Sequence, residues 1–214
     1  MCSIKRVQKI VHRLGLISCH RAKYKPTPSH QKIEERPNLL NQEFNTTNLN
    51  QKWVTDITYI QTKKDGWCYL STILDLHSRM IIGYSFGKRM ATHWVLNTLE
   101  DALLKRTYKQ GELILHSDLG SQYTSQAYEE ALKDAGILHS FSRKGCPYDN
   151  AGMESFHASI KKERSYCRPT CRSFEEAQAD VFDCIHRYYN RKRIYSAISY
   201  LTPIQMEKAA QQVA

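Results

Sequence analysis

The sequence predicts an α/β domain built on a sheet of mixed strand direction with helices packed on its faces. Three observations predict it. The stretches WVTDITYI, WCYLSTILDL and MIIGYSF are rich in β-branched and aromatic residues and follow one another with only short polar breaks. Beyond residue 92 the apolar spacing becomes helical, and helices then alternate with short apolar strands. Hydrophobic residues make up 41% of the 214, enough for one packed core plus a small appendage and too many for a disordered chain.

In chain order, Ile4, Val7, Ile10, Val11 and Leu14 recur at helical spacing, and Gly15 supplies a stop. The next stretch, HRAKYKPTPSHQKIEERPNLLNQEFN, carries prolines and many charges with little periodicity and reads as a linker. Residues 1–48 are therefore expected to be an arm and linker, and residues 49–207 the core with a C-terminal helical extension. The breaks KKDG and HSR make WVTDITYI, WCYLSTILDL and MIIGYSF three sequential antiparallel strands. Residues 92–106 place Val95, Leu99, Ala102 and Leu103 on one helical face. ELILHSD is a fourth strand, SQAYEEALKDAG a helix closed by Gly136, and ILHSF a fifth strand. Residues 151–165 and 173–190 form two more helices, the second burying Phe174, Ala177, Val181, Cys184, Ile185 and Tyr188. Thr202 and Pro203 open a last helix as its cap and first residue.

Charge narrows the function classes. The formal net charge is +10, and residues 1–50 hold +6 of it. That balance favours a polyanionic partner, of which nucleic acid is the commonest. No apolar run approaches the ~20 residues that span a bilayer, and MCSIKRVQKIVHRLG interrupts its apolar residues too often for a signal peptide. A cytosolic protein with its seven scattered cysteines reduced is expected. Cys167 and Cys171 are the nearest approach to a zinc pair. They would need His157 or His186 to help and lack the usual matching second pair.

Three acids stand on or beside apolar strands: Asp56 inside WVTDITYI, Asp75 at the end of WCYLSTILDL, and Asp118 directly after ELILHS. A carboxylate in such a place is costly unless it is paired or binds metal, and two on neighbouring strands repel unless a cation lies between them. A fourth acid, Glu154, falls in or just after the first turn of the 151–165 helix, with Asp149 or Asn150 as its cap. Met153, Phe156 and Ile160 make that helix's apolar face, while Glu154, His157 and Lys161 form a polar stripe. Thirty-five residues separate Asp118 from Glu154 and 61 separate Asp56 from Asp118.

The blocks WVTDITYI, LDLHSRMIIGYSF, LHSDLGSQYTS, SRKGCPYDNAGMESFHASIKKE and YNRKRIYSAISYLTPIQME resemble the transposases and retroviral-type integrases with a D, D-35-E triad. The likeness covers about residues 50–207. It is nearest to insertion-sequence transposases made from two reading frames, this chain corresponding to the second. The resemblance implies a ribonuclease-H-like fold and metal-dependent cleavage and strand transfer of DNA. It implies Asp56, Asp118 and Glu154 as catalytic ligands of two Mg²⁺ or Mn²⁺ ions, and Lys161 as a DNA contact. Lys162, Arg143 and Lys144 join it on an expected basic face. Further implied are transposon-end and target DNA as partners, a homo-oligomer on DNA, the upstream reading-frame product as a companion, and a bacterial cytoplasm with the nucleoid as workplace. The sequence departs from the family at Cys146-Pro147, where a small or polar pair is usual. RVQKIVHRLGLISCHRAKYK resembles only the last part of the family's helix-turn-helix module, so the chain is expected to begin inside a longer frame. A purely hydrolytic metal nuclease of the same fold, and a DNA-binding remnant without catalysis, are the alternatives.

Overall fold

A computed structural model describes residues 3–16, 36–165 and 170–213. Helix α1 (Ile4–Arg13) opens with Ser3 capping Arg6 N–H, and none of its residues is buried among the described parts. One helix does not make a helix-turn-helix. The residues that would carry a second one, 17–35, lie outside the described residues.

The core begins with β1 (Lys52–Thr62), β2 (Gly66–Asp75) and β3 (Ile81–Gly87), then α2 (Thr92–Lys105), β4 (Ile114–Ser117), α3 (Gln126–Asp134) and β5 (Leu138–Phe141). After them come α4 (Ala151–Ile160), α5 (Phe174–Phe182) and α6 (Pro203–Val213). The five strands lie in the order β3-β2-β1-β4-β5. The first three are antiparallel, as their short breaks require, and β4 and β5 join parallel to β1 through helical crossovers.

Alternation along the strands sends neighbours to opposite faces and makes two cores. Val54 and Leu74 pack with Met153, Phe156, Ile160, Val181 and Ile185 under α4 and α5. Trp53 and Ile73 pack with Val95, Leu99, Leu115, Tyr123 and Tyr128 under α2 and α3. Gly83 lets α2 approach closely, since a Cβ there would lie 2.5 Å from the Thr98 carbonyl oxygen. Asp75, one of the three strand acids, is structural. It is fully buried and accepts from Asn50 N, His77 N, Ser78 N and Trp53 Nε1, so it organises the β2–β3 turn.

Both long C-terminal helices change pitch. Past α4, residues Lys161–Ser165 wind as π-helix, and past α5 Asp183–Tyr189 do the same. A π-turn adds a residue per turn. The tyrosine that a uniform 3.6 period buries, Tyr188, is therefore turned outward to donate to Glu163 Oε2, and Tyr189 is buried instead. Asn190 then closes the outer edge of β3: its Oδ1 accepts from Ile81 N and its Nδ2 donates to Ile81 O. Thr202 and Gln205 form a reciprocal capping box at the start of α6. Glu207 of α6 binds Arg106 at 2.6 and 2.7 Å, a nearly buried bidentate pair.

Residues 36–50, inside the expected linker, pack on the core. Leu40 is fully buried, its N–H donates to Ser140 Oγ, and Phe141 N–H reaches Pro37 O. Periodicity could not show this, because the segment adheres through single anchors. Cys167 of the CRPTC pair lies outside the described residues. Among the described residues Cys68 and Cys146 are free thiols, and His186 packs edge-on to Tyr84.

Candidate active site

The sheet presents its acids where β1 outruns β4. The parallel pairing ends with Val54 opposite His116, and the same register carried two residues further sets Asp118 beside Asp56. Asp56 points to the α4 face, with Oδ1 accepting from Ile57 N at 2.7 Å. Asp118 is exposed, one residue past the end of β4, and its Oδ1 accepts from Gly120 N at 2.9 Å. A Cβ on residue 120 would come 2.9 Å from that oxygen, so only glycine leaves this tight turn unobstructed.

Helix α4 is fastened to the same place. The turn Pro147–Asn150 leads into it, and Asn150 occupies the cap position without making a side-chain cap bond. Its Nδ2 instead donates to Thr55 O at 3.1 Å, the carbonyl next to Asp56. Asp149 does not cap either. Its buried carboxylate accepts from Asn38 Nδ2, Gln42 Nε2, and Arg143 N, Nε and Nη2. Gly152 lies against Val54 and Leu76, where a Cβ would come within 2.9 Å of Leu76 Cδ2. These contacts fix the first turn of α4 over β1, and Glu154 stands in that turn, exposed.

The electrostatics show three acids sharing one neighbourhood. Asp56 is raised to about 7, first by burial and then by the Asp118 charge, with Glu154 adding to it; Ile57 N–H and Lys161 oppose. Burial also raises Asp118 and Glu154. Asp118 reaches solvent on one side, while the protein beneath it removes part of its hydration. Lys161 is lowered by burial, with Asp56 acting against that. His157 places Nδ1 3.5 Å from Asp56 Oδ2, but burial and Lys161 hold the ring down at about 3. The contact is thus between the Asp56 carboxyl group and a neutral imidazole, and among the described residues His157 Nε2 is buried without a hydrogen-bond partner.

The carboxylates are neighbours without being drawn together. Among the described residues no three His, Cys, Asp or Glu side chains are grouped closely enough to hold a metal ion. Three like charges repel, and nothing in the fold itself closes the gap. Of the expected basic face, Lys161 stands at the acids, Lys144 and Lys162 are exposed, and Arg143 is engaged by Asp149. Sequence reasoning placed His157 on the right stripe but gave it no tie to Asp56. It also missed the Asp149 hub, for which the run of polar residues at 38–42 offered no periodic signal.

Comparison with known proteins decides the family. The integrase core domain matches residues 47–147 and again residues 135–203. The chain is 42% identical over 212 residues to the transposase of insertion sequence element IS904 from Lactococcus lactis, covering 97% of this chain and 81% of that protein. It belongs to the insertion-sequence transposases. The transposase is also 38% identical over 206 residues to InsF of insertion sequence IS3A from Escherichia coli, covering 96% of this chain and 70% of that one. Its fold is that of retroviral integrase cores, hence ribonuclease-H-like. The catalytic core of BIV integrase superposes with a TM-score of 0.57 at 18% identity, over 77% of this chain and 97% of that one. The HTLV-2 integrase core, solved in complex with magnesium, gives 0.57 at 16% identity over 76% and 99%. The chain is thus a DDE-type DNA transposase by family, and no helix among its described residues is long and apolar enough to cross a membrane.

Proposed function

We propose that Asp56, Asp118 and Glu154 are the catalytic carboxylates of this transposase and its ligands for Mg²⁺ or Mn²⁺, two ions per site. The observation that carries this reading is the field at the β1 edge, where Asp118 and Glu154 both raise Asp56. The donor set fits the ion, because three carboxylates offer the hard oxygens that Mg²⁺ prefers. Bound there, divalent cations would supply activation of the attacking oxygen and stabilisation of the leaving oxygen in an in-line displacement at phosphorus.

The chain's own residues bind and orient. Lys161, beside Asp56, neutralises the phosphate next to the reacting one, and Lys162 and Lys144 extend the grip along the backbone. Arg143 holds the loop before α4 through Asp149 and offers DNA only what that pair leaves over. Neutral His157 packs against Asp56 and keeps its carboxylate turned to the open edge. With water as nucleophile the site nicks a transposon end; with the freed 3′-hydroxyl it joins that end to target DNA. The reading extends to a homo-oligomer on DNA at the nucleoid, with the upstream reading-frame product as a further partner.

A strand-transfer assay with a labelled 3′-hydroxyl donor tests it. Joined product from the unaltered protein with Mg²⁺, and none from a folded Asp118→Asn variant, is the expected result. Nicking without joining would favour the hydrolytic nuclease. Joining that persists in Asp118→Asn would sink the carboxylate assignment.

A further inference from the structure

Among the described residues β4 pairs with Lys52–Val54 alone while β1 runs on to Thr62 beside β2, so beyond Asp56 the outer edge of β1 has no parallel neighbour there. Tyr59 stands on this stretch, three residues past Asp56 or ~10 Å along the strand, and alternation places it on the opposite face of the sheet, beside the open edge. It is 36% exposed and meets the indole of Trp67, 51% exposed, edge-on at 5.3 Å. Neither ring belongs to the two apolar cores. Lys161 completes the group. Its Nζ lies 4.7 Å from the centre of the Tyr59 ring, and the same ammonium acts on Asp56. One cation therefore bridges the acidic site and the aromatic pair. At the hairpin tip, exposed Lys63 and Lys64 donate their backbone N–H groups to Cys171 O and Arg172 O, which brings exposed Arg172 alongside.

Half-exposed aromatic rings with an ammonium beside them suit a ligand with a flat π-face and an adjoining negative charge, which is a nucleotide in a single strand. Bases inside a duplex keep their faces stacked and cannot use such rings, whereas bases at a cut or frayed end can. We infer that Tyr59 and Trp67 form a stacking platform for an unpaired nucleobase of the DNA substrate where the strand crosses the open edge of β1, with Lys161 on the adjoining phosphate. This rests on the reading of Asp56 as catalytic for the position of the phosphate, but not for the stacking itself.

The other role open to this pair is a cross-strand contact that only stiffens the hairpin. Binding separates the two. The full chain carrying Asp118→Asn, so that no substrate is consumed, is titrated by fluorescence anisotropy with two transposon-end duplexes, one blunt and one with three unpaired nucleotides at the cleaved terminus. The readout is the ratio of the two affinities. The unpaired end is expected to bind more tightly. Trp67→Leu, which keeps apolar bulk but has no π-face, should shrink that preference by roughly 5- to 150-fold, the equivalent of ~1–3 kcal/mol for one stacked base. Trp67→Phe should restore most of it at an unchanged melting temperature. A ratio equal to one in the parent protein, or a ratio that Trp67→Leu and Trp67→Phe change alike, overturns the platform. Its failure is distinct from failure of the carboxylate reading, which is judged by cleavage with Asp118 intact and not by this ratio.

Discussion

Replacing Asp149 by asparagine tests whether one buried carboxylate holds the loop and the N-terminal segment to the core. The side chain is fully buried and accepts five hydrogen bonds, at 2.9 Å from Asn38 Nδ2, 2.6 Å from Gln42 Nε2, and 2.9, 3.0 and 2.9 Å from Arg143 N, Nε and Nη2. Every partner is a donor. An amide keeps the shape but turns an NH₂ toward at least one of them, leaving buried donors facing each other. Breaking a buried charged pair from one side costs ~3–5 kcal/mol. Arg143 is 54% exposed and recovers water, so the lower end applies, about 3 kcal/mol. For a domain of this size that is a fall of roughly 6–12 °C in Tm.

The pH dependence gives the prediction a second edge. The Arg143 guanidinium, helped by Gln42 and the Arg143 N–H, holds the Asp149 carboxyl well below the usual carboxylate range. A depressed folded-state pKa stabilises above the unfolded-state value, near 4, and that stability drains away as pH falls below it. Thermal melts followed by circular dichroism should show the full gap between parent and Asp149→Asn from pH 5 to 8, closing between pH 4 and 2. A gap of only a degree or two at pH 7, or one that stays constant down to pH 2, would refute the reasoning.

Asp118→Asn removes a charge that raises Asp56, so without metal it should melt higher than the parent above pH 7, by differential calorimetry, while losing cleavage. Because the Asp56 pKa is raised to about 7, its ionisation opposes folding as pH rises from about 4 to 7. Mg²⁺ should accordingly raise Tm more at pH 8 than at pH 6, and an equal rise at both would count against Asp56 as a ligand. Lys161→Ala should leave the fold intact and reduce the slope of log affinity against log salt by about one, since a single phosphate contact is lost. Arg106→Ala strands Glu207 in a nearly buried position, and urea denaturation should show a loss of ~3–5 kcal/mol.

The fold was legible where it repeats. Three adjacent strands with short polar breaks can only pair antiparallel, and β4 and β5, each separated by a helix, can only come back parallel; the observed sheet has both features. What periodicity misread were the places where the period changes or where no period exists. The π-turn at Asp183–Tyr189 exchanges Tyr188 for Tyr189 in the core, and no composition signal announces an added residue. Asn150 looked like a helix cap because asparagine favours that position; its amide is used across 95 residues of chain, on Thr55 O. The residues 36–50 read as linker because polar side chains dominate them, yet Asn38 and Gln42 are polar in order to meet Asp149.

The candidate site drew notice in the sequence for a different reason: its acids violate the rules that made the fold legible. A strand that buries residues on both faces has no use for Asp56, and a helix gains nothing from a glutamate whose charge adds to the load on that acid. The structure shows what this costs. Asp56 is pushed to about 7 by burial and by Asp118, the contrary of what a stabilising carboxylate such as Asp149 experiences. Both acids sit beside α4 in the same loop-and-strand assembly, so position alone does not separate them. Asp149 is surrounded by donors and anchored, while Asp56 shares its space with a neutral imidazole and two other acids. The anchored acid fixes the helix start, the helix start fixes Glu154 over β1, and the strained edge that results is one that a divalent cation would relieve. Stability from the first acid is thus what keeps the second in an arrangement that the fold alone would not favour.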